Sequence, residues 1–131
     1  MKSEIFISSI FSILLFSCSI SEKDFIGKWK GTRFETNITI LSPDVIKGAE
    51  EIALSTVIEF SADGTGTYID EYSASEIEWK YDSKKNTLEM TGFTEGGSQI
   101  YNVTSISGDI MVLEMKMRDM GDLSIYFNKI R

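Results

Sequence analysis

The sequence predicts an all-β protein, a single eight-stranded antiparallel up-and-down β-barrel over residues 25–131. Two patterns and one physical constraint predict it. Apolar and polar residues alternate with period two, and turn sequences rich in Gly, Asp, Asn and Ser recur at steady spacing. About eight strands joined by tight turns would leave two long unpaired edges as an open meander, and closing the sheet removes both. A two-sheet sandwich is the structural alternative.

Residues 27–41 read as one long, bent strand, and 42–51 have mixed character. Pro43 belongs outside a central strand because it has no N–H to donate. Residues 45–50 read equally as a brief helical turn or a lid-like loop. Over 52–60 the apolar residues Ile52, Leu54, Ile58 and Phe60 share one face. Ser61, Ala62, Asp63 and Gly64 supply a turn, with Gly64 free to take positive φ, and 66–72 form the return strand. Ile77, Trp79 and Tyr81 alternate with Glu78 and Lys80, which describes a strand with one dry face and one wet. A turn at 82–86, a short strand carrying Leu88 and Met90, and a break at 95–97 follow. Residues 99–106 and 110–117 pair around 107–109, with Met111, Leu113, Met115 and Met117 on one side of the second. A turn at 119–122 leads into the last strand, 123–130.

The first 17 residues carry the parts of an export signal: Lys2, an apolar stretch over 5–16, and the small Ser17 before Cys18. Ser8, Ser9 and Ser12 interrupt the stretch, which is shorter than the roughly 20 apolar residues a spanning helix needs. Leu15, Phe16, Ser17 and Cys18 resemble the lipobox of bacterial lipoproteins. The resemblance implies cleavage before Cys18, diacylglycerol on its sulfur and an acyl group such as palmitate on its freed amine. Two or more chains give stable anchoring where one does not. A cleaved signal without lipidation and a plain N-terminal membrane helix are the competing readings. Cys18 is the only cysteine, so it has no internal disulfide partner, and lipidation would consume its thiol. Residues 18–24 then read as a lipidated tether. Ser19 stands where enteric bacteria place an Asp for inner-membrane retention, which implies the outer membrane of the cell envelope. The diluted acidic stretch at 21–24 leaves both faces of that membrane open.

The formal net charge is −7, and removing residues 1–17 takes away Lys2 and Glu4 and leaves it unchanged. An acidic surface repels phosphate, so neither nucleic acid nor an anionic lipid surface is an expected partner. No composition shift marks a second domain, and a monomer is expected.

Asp24, Phe25, Ile26, Gly27, Lys28, Trp29 and Lys30 place a Gly-x-Trp signature at the start of the first strand. With the segments 58–68, 77–81, 86–88, 111–113 and 126–131, they resemble the lipocalin-like domains of small Bacteroidetes lipoproteins. The resemblance covers nearly all of 25–131. It implies a barrel in which Trp29 plugs one end beneath a basic side chain from near the C-terminus, Arg131 or Lys129. Residues 36–53 depart from the pattern and leave the barrel mouth undefined.

The chain has no histidine and no second cysteine, so the most adaptable general base, the usual nucleophile–base pairs and Cys/His zinc sites are missing. The carboxylates Glu50 and Glu51, Asp70 and Glu71, and Glu76 and Glu78 are explained by solvated faces. Residues 63–67 lack the longer oxygen-ligand pattern of a calcium loop. No enzymatic activity, metal or cofactor is expected.

Tyr68, Tyr72, Trp79, Tyr81, Tyr101 and Leu113 are the candidate lining of a small-molecule pocket inside the barrel. Arg33 shares the parity of Trp29 with Glu35 and is a candidate polar contact near the open end; a bulge in the first strand would instead put both in solvent. The aromatics fill a barrel equally well, because about eight strands enclose room either for packed side chains or for one ligand. Two functions follow. One is a lipid-anchored protein that holds a small apolar or amphipathic molecule; the other is an envelope module with a packed core that contacts a protein or glycan through its loops. Cys18→Ala is expected to release the protein from the membrane fraction, and mass spectrometry of the wild type is expected to find Cys18 acylated. An unmodified thiol in that fraction, or unchanged association of the variant, would sink the anchor.

Overall fold

The computed structural model describes residues 19–93 and 96–131. Its strands are β1 (Gly27–Thr36), β2 (Val57–Phe60), β3 (Thr65–Ile69), β4 (Ala74–Asp82), β5 (Thr87–Thr91), β6 (Ser98–Ser107), β7 (Ile110–Lys116) and β8 (Asp122–Ile130). One helix, α1 (Pro43–Ser55), lies between β1 and β2, and short 3-10 turns occupy Glu22–Asp24 and Arg118–Met120. The strands follow chain order around a closed barrel, each antiparallel to its neighbours, with β8 returning to β1. The closed barrel, rather than the sandwich, is the solution this sequence adopts.

Closure depends on β1, which pairs with β2 through Gly27 to Lys30 and with β8 from Lys28↔Ile130 to Thr36↔Leu123. The β8 register shifts between Gly31 and Arg33, so Thr32 is an extra, bulged residue. A bulge resets the in–out alternation. Trp29 and Gly31 are buried before it, whereas after it Phe34 faces inward and Arg33 and Glu35 are exposed. A second bulge between Val103 and Ser105 on β6 does the same, taking the inward positions from Tyr101 and Val103 to Ile106.

The segment between β1 and β2 is where the expected strands are corrected. β1 stops at Thr36 rather than running to 41, and residues 52–55 form the last turn of α1 rather than the start of a strand. Local chemistry accounts for the helix. Ser42 caps it, its hydroxyl accepting from the Val45 N–H at 3.3 Å; Pro43 sits in the first turn with its φ preset, and Asp44 meets the positive end. At the other end Thr56 turns extended, donates its hydroxyl to the Ile52 carbonyl at 2.7 Å, and lets β2 begin. The return strand also ends earlier than expected, at Ile69, and β7 ends before Met117.

One end of the barrel is filled solid. Chain entry over the first 3-10 turn brings Phe25 beneath the strands, where it packs against Phe60 edge-on at 6.3 Å and against Tyr81 at 4.9 Å between ring centroids. Trp29, Trp79, Leu88, Met90, Met111, Leu113 and Phe127 complete this core. The Trp29 indole N–H donates to the Phe25 carbonyl at 2.8 Å, and that of Trp79 to the Ser61 carbonyl at 3.0 Å, so neither polar edge is stranded. Lys129 lies over the Trp29 ring with its ammonium 4.8 Å from the centroid, a cation–π contact of about 0.5–2 kcal/mol. Of the two basic residues implied for this role, Lys129 therefore fills it. Arg131 instead pairs with Asp109 at 3.8 Å in solvent. Gly27 has φ +134°, and a Cβ there would come within 3.2 Å of the Lys129 Cε, so its glycine gives both the turn and room for the lysine.

The helix is seated on β1 by its C-terminal turn. The Gly31 N–H donates to the Thr56 carbonyl at 2.9 Å, and the Lys30 ammonium reaches the Leu54 carbonyl. A Cβ on Gly31 would lie 2.0 Å from the Ala53 carbonyl oxygen, a backbone atom that has nowhere to move. Gly31→Ala is accordingly expected to destabilise the protein by about 1–3 kcal/mol, as other overpacked sites do. Urea denaturation checks this, and a midpoint unchanged from the wild type would show that the helix is not held at this contact.

Candidate functional site

The end opposite the plug is different. There an open, largely apolar cavity of about 420 Å³ is lined by Phe34, Ala49, Ile52, Ala53, Thr56, Tyr68, Gln99, Tyr101, Met115, Leu123 and Ile125. The helix contributes one wall through Ala49, Ile52 and Ala53, spaced three and four residues apart and so on one helical face. The bulge contributes another by turning Phe34 inward. The two candidate functions turned on a filled or an empty barrel; the interior is packed at the plugged end and open at the mouth.

The polar groups of the cavity are few and uncharged. Tyr101 donates its hydroxyl to the Gln99 side-chain oxygen at 2.8 Å, and the Tyr68 hydroxyl meets that of Thr56. Among the described residues no buried side-chain nitrogen or oxygen lacks a partner. Burial pushes the Tyr101 hydroxyl pKa well above the usual tyrosine range, and the neighbouring Tyr68 adds to the shift. Tyr68 is raised too, first by burial and then by the nearby Asp70 carboxylate, against an opposing contribution from Thr56. Its ring packs edge-on against Phe93 at 5.1 Å. A second, more polar cleft of about 510 Å³ adjoins the mouth, and the two share Ile52, Tyr68 and Gln99 as a common wall.

Of the candidate lining residues, the mouth brings together Tyr68 and Tyr101. Trp79, Tyr81 and Leu113 are inside the barrel but belong to the packed core. Tyr72 lies on the loop between β3 and β4, 77% exposed and outside the cavity. Arg33 does not face the interior, because the Thr32 bulge turns it out, where it pairs with Glu35 at 3.4 Å and stacks over Tyr126 at 5.1 Å. Most of the wall was not anticipated. The Ser42, Pro43 and Asp44 start signal and the Ala49, Ile52, Ala53 spacing both point to a helix, and they were legible in the sequence.

A concavity of about 640 Å³ lies on the outer wall of β2–β4 between Glu59, Glu76 and Glu78 and is lined by solvated strand faces. Among the described residues no group of three or more His, Cys, Asp or Glu side chains is arranged to hold a metal, and no helix is long and apolar enough to cross a membrane. Cys18 lies outside the described residues.

The raised Tyr101 pKa links this site to stability. Because the folded value exceeds the unfolded one near 10, its contribution is complete below that pH and is lost as the pH rises beyond it. The unfolded chain gives up the proton first. Tyr101→Phe, which has no proton to lose, is expected to flatten the fall in stability above pH 10, as measured by urea denaturation between pH 8 and 11.

A solved structure of a DUF4847 family protein from Bacteroides vulgatus is similar in fold, with a TM-score of 0.53 at 19% identity over 82% of this chain and 94% of that one. No curated protein matches the sequence. The family model of the lipocalin-like domain matches residues 25–113, from the plug phenylalanine into the core strand β7. With that match spanning most of the barrel, the chain belongs to the lipocalin-like domain family.

Proposed function

We propose that this is a non-catalytic, lipid-anchored binding protein of the bacterial envelope that takes a small apolar or amphipathic molecule into the mouth of its barrel. The observation that carries the reading is the cavity of about 420 Å³, apolar in most of its lining, within the size range of small-molecule sites. The Tyr101 hydroxyl is already paired with the Gln99 side-chain oxygen and the Thr56 hydroxyl with the Ile52 carbonyl, so an apolar guest strands neither hydroxyl proton.

The path of the chain supports the tether. Ile20 packs against the core at the plugged end, and the loops at 61–64, 83–86 and 108–109 surround the same end. Acyl chains on Cys18 would therefore set the plugged end against the membrane and turn the mouth away from it. An outer-membrane position is part of the proposal. A second reading, docking of an envelope protein or glycan, draws on Ile40 and Val45, which are 70% and 53% exposed beside the helix start. Reproducible crosslinking through these positions, with no response to any apolar compound, would favour that reading over the first.

Filling the cavity separates the two. Ala49→Trp projects a large ring from the helix into the mouth and is expected to abolish the thermal shift that apolar probes produce in the wild type. Probe-induced shifts equal in variant and wild type, or absent from both, would overturn ligand binding at this cavity.

A further inference from the structure

The mouth has a charge bias that narrows what it accepts. Its polar lining consists of the hydroxyls of Thr56, Tyr68 and Tyr101 and the amide of Gln99, with no lysine or arginine. The helix and loops around it carry Asp44, Glu50, Glu51, Asp70, Glu71 and Asp119 against Lys47 and Arg118 among the described residues. An anionic head group entering here sheds water, finds no cation in the lining, and meets a rim whose helix and loops carry more acidic than basic side chains. The upward shifts of the two tyrosines show the same environment penalising negative charge at oxygens already in the wall.

Hydrogen bonding points the same way. Tyr101 has committed its proton to Gln99 at 2.8 Å, so its oxygen is left able only to accept. A ligand hydroxyl can donate to it, whereas a carboxylate, which only accepts, cannot, and is left with the Gln99 amide N–H as its donor in the lining.

We infer that the cavity selects an uncharged, hydroxyl-bearing apolar molecule and rejects carboxylate amphiphiles of the same length. The inference rests on the ligand-binding reading and names the class of ligand. Calorimetric titration of the protein with decan-1-ol and with decanoate at pH 8, both below micelle formation, tests it. Decan-1-ol is expected to bind at least about tenfold more tightly. Gln99→Lys, which places a cation in the lining, is expected to raise decanoate affinity about tenfold and so erase the preference. Glu71→Lys changes an exposed side chain and is expected to narrow the preference from the rim without touching the cavity wall. Equal wild-type affinities for the two probes, or a preference that neither variant alters, would overturn the inference and leave the cavity as a ligand site. Binding of neither probe would remove the ligand-binding reading itself.

Discussion

The barrel closes only because β1 can pair along its length with β8, and the extra residue at Thr32 decides which side chains that closure turns inward. Before the bulge, Trp29 points into the core and Gly31 faces the helix; after it, Phe34 points into the mouth. A regular strand would have kept Arg33 and Glu35 on the face of Trp29, burying two charges whose desolvation several kcal/mol of pairing would have to offset. Outside, the same pair lies in solvent and contributes no more than about 1 kcal/mol. One inserted residue thus separates a charged outer surface from an apolar mouth.

The two ends of the barrel divide its work. At the plugged end, Phe25, Phe60, Trp79 and Tyr81 meet in tilted and edge-on contacts, Trp29 is buried in the same core, and both indole nitrogens are satisfied by backbone carbonyls. Aromatic pairs of this kind contribute about 0.5–1.5 kcal/mol beyond their buried area. Lys129 seals the end from outside the ring of Trp29. The mouth, by contrast, keeps room because small side chains, Ala49 and Ala53, face it from the helix. The barrel is thus packed at one end and open at the other.

Much of this was legible from local pattern. The strands β4, β5, β7 and β8 lie close to where alternation and turn residues put them, since their inward sets, such as Ile77, Trp79 and Tyr81, bury one face of a regular strand. Pattern reading failed where regularity itself breaks. Ile52 and Leu54 share a strand parity with Ile58 and Phe60, yet the cap at Ser42 and the proline after it had already started a helix that carries through Ser55. Arg33 went to the wrong side by the shift of a single residue.

The sequence alone therefore determined the class of fold, the number and order of its strands and the acidic character of the surface, because each is written in residue type and short-range period, while the plug at Trp29 was implied by the resemblance of its Gly27 and Trp29 segment to lipocalin-like domains. Only the tertiary structure decided that Lys129, not Arg131, covers Trp29, that the bulge sends Arg33 outward, and that Trp79, Tyr81 and Leu113 fill the core while Tyr68 and Tyr101 line a cavity. Those outcomes depend on register between strands distant in the chain and on where a helix comes to rest against them. No local pattern carries that information, since it exists only once β8 has closed on β1.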